Sequence, residues 1–216
     1  MVERFFSVRQ VELLDHNHSD PIMLLSGPPS CGKTSLLFQF AFNSAAGSNH
    51  EVVFICNRRK LESKPPYFSP GIDPSSDTFQ RIQMKYVDED EGIKNYFAAF
   101  HLHDTFPAAV VIDDFGDFFE ERSCQEKYNN PRGRDLAMVR TLALCHNAIA
   151  HAKRVLASFS CPTHTMETLQ GDGLGSFVLK SNSSSVTGSS ARMRTAKYSI
   201  ALQHLTLEGI TENSDQ

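Results

Sequence analysis

The sequence predicts an α/β fold in which a mostly parallel sheet is flanked by helices, with a pair of strands at the C-terminus. Two observations carry this prediction. Strand patterns alternate with segments of helical periodicity along most of the chain, which is typical of layered α/β proteins. A glycine-containing loop also stands between the first apolar strand and the helix after it. We therefore expect helices to connect the strands, and a functional loop to follow the first strand.

Local patterns predict the elements in order. Apolar or alternating runs of residues predict five strands, namely 22–26, 51–56, 81–87, 108–115 and 154–159. Helical spacing predicts three helices, namely one from the glycine-containing loop to Gly47, one over 89–103 and one over 131–151. The expected apolar face of the last helix consists of Leu136, Val139, Leu142 and Ile149. The polar stretches 58–78 and 160–176 predict long loops.

The C-terminal region predicts a strand at 177–180, a serine-rich linker and then a strand pair over 193–202 and 204–210. Together with the earlier elements, this suggests three parts to the chain. We expect an N-terminal extension over 1–20, one folded domain over 21–210 and a flexible tail over 211–216.

Composition narrows the functional classes. The 216 residues are 40% hydrophobic and 21% charged, which is ordinary for a globular protein, and no apolar run approaches the length of a membrane span. The five cysteines form no C-x-x-C pair, which favours a reducing compartment over a disulfide framework. The formal charge is -4, so contact with nucleic acid would depend on local basic patches.

The main chemical signal is the sequence GPPSCGKT at 27–34, a full match to the phosphate-loop pattern. Its backbone N–H groups are expected to bind a nucleotide phosphate, with Lys33 reaching the β- and γ-phosphates and Thr34 contacting Mg²⁺. The cofactors expected are therefore ATP and Mg²⁺. The predicted nucleotide-binding residues are Gly27, Pro28, Pro29, Ser30, Cys31, Gly32, Lys33, Thr34 and Ser35.

A second signal is the apolar strand that ends in Asp113, a position from which a carboxylate can complete the Mg²⁺ shell. The sequence DDFG at 113–116 matches neither a GTPase, since the base-reading N-K-x-D is absent, nor a protein kinase, since no H-R-D precedes it. Two strand patterns lie between Lys33 and Asp113. That spacing favours the RecA-like branch of the P-loop proteins.

Three segments carry a resemblance to a known family, namely VVFICNRRKLESKPP, FQRIQMKYV and AAVVIDDFGDFF, which follow one another at compatible spacing. Over roughly residues 20–160 the chain resembles the RecA-like recombinase paralogues, and most closely the ATPase-like subunit of the Shu complex. The resemblance implies a nuclear protein that binds ATP and single-stranded DNA. It also implies two partners, a SWIM-domain zinc-finger protein and a recombinase or recombinase paralogue.

One departure from that family bears on catalysis. RecA-type ATPases generally carry a catalytic glutamate just after the second strand, whereas this chain has Asn57 and Arg58 there. Neither side chain can accept a proton from the attacking water. Asp114 is the alternative base, together with Lys33 as the other catalytic residue, although Asp114 could equally cap a turn. We therefore expect at most weak, DNA-dependent ATP hydrolysis.

Basic residues suggest where DNA would bind. Arg192, Arg194 and Lys197 lie in an acid-free stretch on a predicted strand, where Arg192 and Arg194 share a face. Arg58 and Arg59 form a second cluster. The other interpretation of both clusters is a solvated edge. The expected DNA-binding residues are therefore Arg192, Arg194, Lys197, Arg58 and Arg59, and Tyr67 or Tyr198 could offer an aromatic platform for a base.

Two other functions remain open at this point. The chain can be a P-loop phosphotransferase acting on a small molecule, with residues 58–78 as its lid. It can also be a scaffold module whose nucleotide site is vestigial. The phosphate-loop motif reports phosphate binding but does not identify the acceptor, so the sequence alone does not separate these functions from DNA repair.

Overall fold

The structure is a computed structural model, and it describes residues 2–6, 22–48, 50–120, 127, 131–156, 164–171, 176–183 and 193–213. These residues form two compact units. The first unit combines residues 1–49, 66–80 and 161–216, and the second combines residues 50–65 and 81–160. Each unit has its own sheet and its own core, and the single domain expected over 21–210 stays a prediction.

The first unit contains a five-stranded sheet and the helix that follows the glycine-containing loop. Its strands are β1 (Ile22–Ser26), β5 (His164–Gly171), β6 (Ser176–Ser183), β7 (Met193–Ala201) and β8 (His204–Asn213), and its helix is α1 (Lys33–Ala46). The sheet order is β1-β5-β6-β7-β8, with β1 parallel to β5 and every later pair antiparallel. The strand, loop and helix predicted for the start of the chain are confirmed, including Gly47 at the end of α1.

The core of this unit lies between the sheet and α1. Leu36 from α1 packs with Leu179, Ala196, Tyr198 and Leu205 from the last three strands. The N-terminal residues Val2, Phe5 and Phe6 are buried in the same core. The described part of the expected N-terminal extension is therefore packed against the unit and contributes to its stability.

The second unit contains a three-stranded parallel sheet with the order β3-β2-β4. Its strands are β2 (Val52–Cys56), β3 (Ile82–Tyr86) and β4 (Ala109–Ile112), and its helices are α2 (Arg58–Ser63), α3 (Asp90–Ala98) and α4 (Pro131–Leu156). Every residue of β2 is buried, as expected of a central parallel strand. Among the residues that the structure describes, no helix is long and apolar enough to cross a membrane.

Three sequence-based predictions of secondary structure are wrong. The segment 58–78 was expected to be a loop, but the Asn57 side chain accepts a hydrogen bond from the Lys60 N–H at 3.2 Å and starts α2. The strand predicted over 154–159 is helical as far as Leu156, where α4 ends. The loop predicted over 160–176 contains β5, whose backbone pairs with β1 on one side and β6 on the other. Strand pairing overrides a weak local pattern here.

The predicted buried face of α4 is wrong in part, since Ile149 packs against the core of the second unit but Leu136 and Val139 are exposed. Leu136 is 50% exposed and Val139 is 61% exposed, whereas the buried positions are Ala137, Thr141, Cys145 and Ala152. Small side chains at these positions let α4 approach its neighbours closely, and the Thr141 hydroxyl is satisfied by donating to the Ala137 carbonyl at 2.9 Å. Side-chain size, and not only the apolar pattern, therefore determines which face is buried.

The final strand pair is confirmed, and β8 extends to Asn213, into the segment expected to be a tail. Two residues connect the strands, since Ala201 pairs with His204. Both residues of this turn, Leu202 and Gln203, have positive φ values of 51° and 64°. This is the backbone of a type I′ turn, which favours Asn and Gly.

We predict that Gln203→Gly stabilises the protein by about 1 kcal/mol, because glycine adopts positive φ without steric cost. The matched control is Gln83→Gly on the exposed face of β3, where glycine is expected to destabilise by about 0.5–1 kcal/mol. Chemical denaturation of the two variants measures both effects. Equal destabilisation by both substitutions would contradict the predicted turn.

Candidate functional site

The loop between β1 and α1 has the backbone conformation of an anion-binding loop. Ser30 and Gly32 have positive φ values of 61° and 82°, and Gly32 is the N-cap of α1. The first helical bond runs from the Leu36 N–H to the Gly32 carbonyl at 3.0 Å. The N–H groups of the first helical turn have no carbonyl partner within the helix, and the helix dipole favours a negative charge beside them. This end of α1 is therefore suited to a phosphate group.

The Lys33 side chain lies back over the loop. Its ammonium group donates hydrogen bonds to the carbonyls of Gly27 at 3.1 Å and Pro28 at 2.9 Å, and lies 3.9 Å from the Cys31 sulfur. The positive charge is thus held at the mouth of the loop by partners that carry no formal charge. A phosphate that enters the loop would offer the ammonium group a stronger, charge-assisted partner.

Strand β7 supports the loop from the core side. The Tyr198 hydroxyl donates a hydrogen bond to the Cys31 carbonyl at 2.7 Å, and a Cβ atom added at Gly32 would overlap the Cδ1 atom of Ile200. Sequence reasoning did not find this support, and it proposed Tyr198 as a platform on which a base could stack. That prediction is wrong, because the Tyr198 side chain is completely buried.

Cys31 is also buried, and burial raises the pKa of its thiol even though the nearby Lys33 charge acts in the opposite direction. The thiol therefore stays protonated at neutral pH, and protonated thiols are poor nucleophiles. Cys31 contributes packing and its backbone to the loop.

Ser35 makes a structural contact in the first unit. Its hydroxyl accepts a hydrogen bond from the Tyr67 N–H at 2.9 Å, and one turn later the Gln39 side-chain oxygen accepts one from the Ser69 N–H at 3.0 Å. Together these bonds fix the segment 67–69 against α1. The prediction that Ser35 contacts a nucleotide stays a prediction.

The second unit carries an acidic pocket beyond the carboxyl ends of β2 and β4. The pocket is lined by Asn57, Lys60, Asp88, Asp113, Asp114, Asp117 and Phe118. Lys60 forms an ion pair with Asp117, and Asn57 donates a hydrogen bond to Asp88 at 3.2 Å. The position agrees with the general rule that parallel α/β sheets place their functional groups at the carboxyl ends of the strands.

Asp113 is the buried carboxylate of this pocket. Its backbone N–H bonds to the Ile55 carbonyl at 2.9 Å, which continues the pairing of β4 with β2. Burial and the negative charge of Asp113 together raise the pKa of the Cys56 thiol to about 11. Among the described residues, no group of three or more His, Cys, Asp or Glu side chains is arranged to hold a metal ion. The predicted contact of Asp113 and Thr34 with Mg²⁺ stays a prediction.

Two residues bear on the question of a catalytic base. Asn57 lies after β2, where RecA-type ATPases generally carry the glutamate, and Asp114 is the predicted alternative. Asn57 caps α2 and bonds to Asp88, so both ends of its amide have local partners. Asp114 is exposed, has a φ of 50°, and accepts the Asp117 N–H through its backbone carbonyl at 2.9 Å. The backbone of Asp114 therefore starts a short 3-10 helix at Phe115–Phe119, and the role of its carboxylate as a base stays a prediction.

The structure places the predicted DNA-binding residues in different environments. Arg58 pairs with Glu62 and lies over the ring of Tyr86 at 4.8 Å, while Arg59 is exposed on α2. Arg194 forms an ion pair with Glu3 at 3.1 Å, and Lys197 lies 3.8 Å from Glu208 on the other face of β7. Arg192 is outside the described residues.

Comparisons with known proteins agree with the RecA-like prediction. No family model matches the chain. The human protein ATPase SWSAP1 is 28% identical over 102 residues, which are 47% of this chain and 43% of that protein, so the match spans less than half of the relative. The crystal structure of a KaiC-like protein from Pyrococcus horikoshii OT3 superposes on 87% of this chain and 88% of its own, with a TM-score of 0.52 and 14% identity.

The structural likeness confirms the RecA-like fold, and at this identity it shows the fold alone. The weak sequence similarity to a protein named as an ATPase points in the same direction. Together the two findings support a RecA-like paralogue, as the three resembling segments predicted.

We predict that Gly32→Ala destabilises the first unit by about 1–3 kcal/mol, because alanine at a φ of 82° is strained. Its methyl group also displaces Ile200, so adding Ile200→Val should recover part of the loss. The control is Gly209→Ala, where an added Cβ meets nothing within 4 Å. Chemical denaturation of these three variants and of Ile200→Val alone measures the coupling between Gly32 and Ile200. Equal losses at Gly32 and Gly209 would contradict this packing.

Proposed function

We propose that the chain is an ATP-binding RecA-like subunit whose phosphate loop holds Mg-ATP. The observation that carries this proposal is the loop itself, where left-handed Gly32 begins a 14-residue helix and Lys33 lies over the loop carbonyls. A triphosphate is bound by backbone N–H groups, a helix N-terminus and a lysine that lie close together, and this loop provides all three. The name of the human relative, ATPase SWSAP1, agrees with this ligand.

Each predicted residue has a role in this proposal. Gly27, Ser30, Cys31 and Gly32 provide the N–H groups around the phosphates, since Pro28 and Pro29 carry none. Lys33 exchanges its carbonyl partners for phosphate oxygens. Thr34 and Asp113 hold Mg²⁺, which prefers hydroxyl, carboxylate and phosphate oxygens. When bound, Mg²⁺ neutralises charge on the β- and γ-phosphates.

Hydrolysis is slow in this proposal. The general base is missing from the end of β2, since the amide of Asn57 is engaged with Lys60 and Asp88. Asp114 is the remaining carboxylate that can accept a proton. ATP then works mainly as a ligand that changes the conformation or the partners of the subunit.

The first test is a titration with a fluorescent ATP analogue and Mg²⁺. Lys33→Ala should weaken binding by at least tenfold, because the ammonium group pairs directly with the phosphates. The control is Lys64→Ala, which removes an exposed lysine just after α2 and should leave the affinity unchanged. Absence of binding to the wild type, or equal binding to Lys33→Ala, would contradict the proposed nucleotide site.

We further propose that the subunit acts in recombinational DNA repair in the nucleus. Support comes from the resemblance to recombinase paralogues over roughly residues 20–160 and from the similarity to the human protein. By the same resemblance, its partners are single-stranded DNA, a SWIM-domain zinc-finger protein and a recombinase or recombinase paralogue. The proposed complex helps the recombinase assemble on DNA.

The α2 surface is the better candidate for DNA contact. Tyr86 is 43% exposed with the Arg58 guanidinium over its ring, and Arg59 is exposed beside them. An aromatic ring next to cationic groups is typical of surfaces that bind single strands. On β7, Arg194 already pairs with Glu3, so it would have to exchange a carboxylate for a DNA phosphate.

We predict that a labelled single-stranded oligonucleotide binds in the presence of Mg-ATP with an affinity that falls as salt rises. Arg58→Ala/Arg59→Ala should weaken binding and reduce the slope of log affinity against log salt by about one to two. A double variant with the same change in charge, Arg140→Ala/Arg154→Ala on exposed positions of α4, is the control. An equal loss in both double variants would indicate a general charge effect and contradict an α2 surface.

The same assays separate the two alternative functions. A phosphotransferase predicts phosphate transfer to a small acceptor without DNA, with the segment 58–78 as a lid. The part of that segment at 67–69 is hydrogen-bonded to α1 and is not free to act as a lid in this conformation. A vestigial scaffold predicts that Lys33→Ala leaves partner binding and repair intact, whereas our proposal predicts that both decrease.

A further inference from the structure

We propose that Tyr198 is a positioning residue of the nucleotide site, which holds the phosphate loop in its anion-binding conformation through the Cys31 carbonyl. The inference rests on the proposed ATP binding and adds to it a residue 167 positions away in the sequence. Tyr198 does not contact the nucleotide in this proposal. It acts through the backbone of the loop.

The Tyr198 side chain is fixed on all sides. It is completely buried, its ring stacks on Phe177 with centroids 5.5 Å apart, and the ring of Phe6 lies 5.7 Å away. The hydroxyl reaches the Cys31 carbonyl at 2.7 Å, which is the usual length of a good O–H···O bond. A donor held this firmly determines the direction of the carbonyl that accepts from it.

The direction of the Cys31 carbonyl matters because of peptide geometry. The peptide bond between Cys31 and Gly32 is planar and trans, so its C=O and N–H groups point in opposite directions. When Tyr198 holds the carbonyl toward the core, the Gly32 N–H must point away from the core. That is the side on which the loop N–H groups receive a phosphate. One buried hydrogen bond therefore orients a donor of the site.

Strand β7, which carries Tyr198, presents one face to the phosphate loop. Ala196, Tyr198 and Ile200 alternate along β7 and share a face, and Ile200 packs beside Gly32. The pairing of β7 with β8 shifts between Lys197 and Tyr198, where β8 contributes one extra residue, Glu208. Such a bulge changes the direction of the neighbouring side chains. Two neighbouring residues of the loop are thus supported by the same face of one strand.

Packing alone does not explain a tyrosine at this position. A phenylalanine would fill the same apolar space without the cost of burying a hydroxyl. Burial also raises the pKa of Tyr198 far above its ordinary value, so the hydroxyl keeps its proton and remains a donor. The hydroxyl therefore has a specific use, and its partner is the Cys31 carbonyl.

The test is Tyr198→Phe, with Tyr96→Phe as the matched control. Tyr96 is also buried, but its hydroxyl has no hydrogen-bond partner among the residues that the structure describes. With Mg-ATP and a fluorescent ATP analogue, Tyr198→Phe should weaken binding by about fivefold to thirtyfold, since one buried hydrogen bond is lost. Tyr96→Phe should stay within twofold of the wild type.

A second measurement separates positioning from general stability. Alkylation of Cys31, Cys56 and Cys145 is followed residue by residue by mass spectrometry, since all three thiols are buried. In Tyr198→Phe we expect faster labelling of Cys31 alone, because the loop is no longer held. Saturating Mg-ATP should slow the labelling of Cys31 in the wild type.

The outcomes are distinct. Suppose that the wild type binds ATP normally and that Tyr198→Phe changes neither the ATP affinity nor the labelling of Cys31. This result would overturn the role of Tyr198 but would not contradict the nucleotide site. Faster labelling of all three cysteines would indicate a loosened protein and would also overturn a specific positioning role. Failure of the wild type to bind Mg-ATP would overturn the proposed function, and the positioning role with it.

Discussion

The left-handed turn at Gly32, held against one face of β7, is the constraint on which the candidate site depends. Glycine is required there by the φ of 82° and by the side chain of Ile200, which leaves no room for a Cβ atom. The Cys31 carbonyl is held by Tyr198 from the same strand. The phosphate-loop motif near the N-terminus therefore depends on the C-terminal strands. Their contacts stabilise a loop conformation that would otherwise be strained.

The sequence predicts the parts of the fold that are locally determined. β1, the loop and α1 follow from an apolar run, two glycines and a helix stop at Gly47, each of which acts within a few residues. β5 could not be predicted in this way, because its residues form a strand through pairing with β1 and β6. Part of the buried face of α4 was missed for a related reason. Packing against neighbouring helices selects small side chains over the more apolar Leu136 and Val139.

The residues of the candidate site fall into the same two groups, those that a local motif predicts and those that depend on distant contacts. The phosphate-loop residues can be found from the sequence because the motif is contiguous, whereas Tyr198 and Ile200 act across a distance that no spacing rule covers. The alternation of β7 contained a usable signal. Arg194, Ala196, Tyr198 and Ile200 share one face of the strand, and the small and apolar members mark that face as buried. On that basis Tyr198 belongs in the core, and Arg194 lies at the edge of the same face, beside Glu3.

The end of β2 shows how a single residue, Asn57, determines both the available chemistry and the local structure. A glutamate there, as RecA-type ATPases generally have, leaves a carboxylate to act on water. Asn57 instead accepts from the Lys60 N–H and donates to Asp88, and the chain turns directly into α2. The helix in turn presents Arg58 over Tyr86. Asn57 thus organises a basic, aromatic surface at the position where the resembled ATPases carry a base. The missing carboxylate and the surface that we propose for DNA contact therefore have the same structural origin.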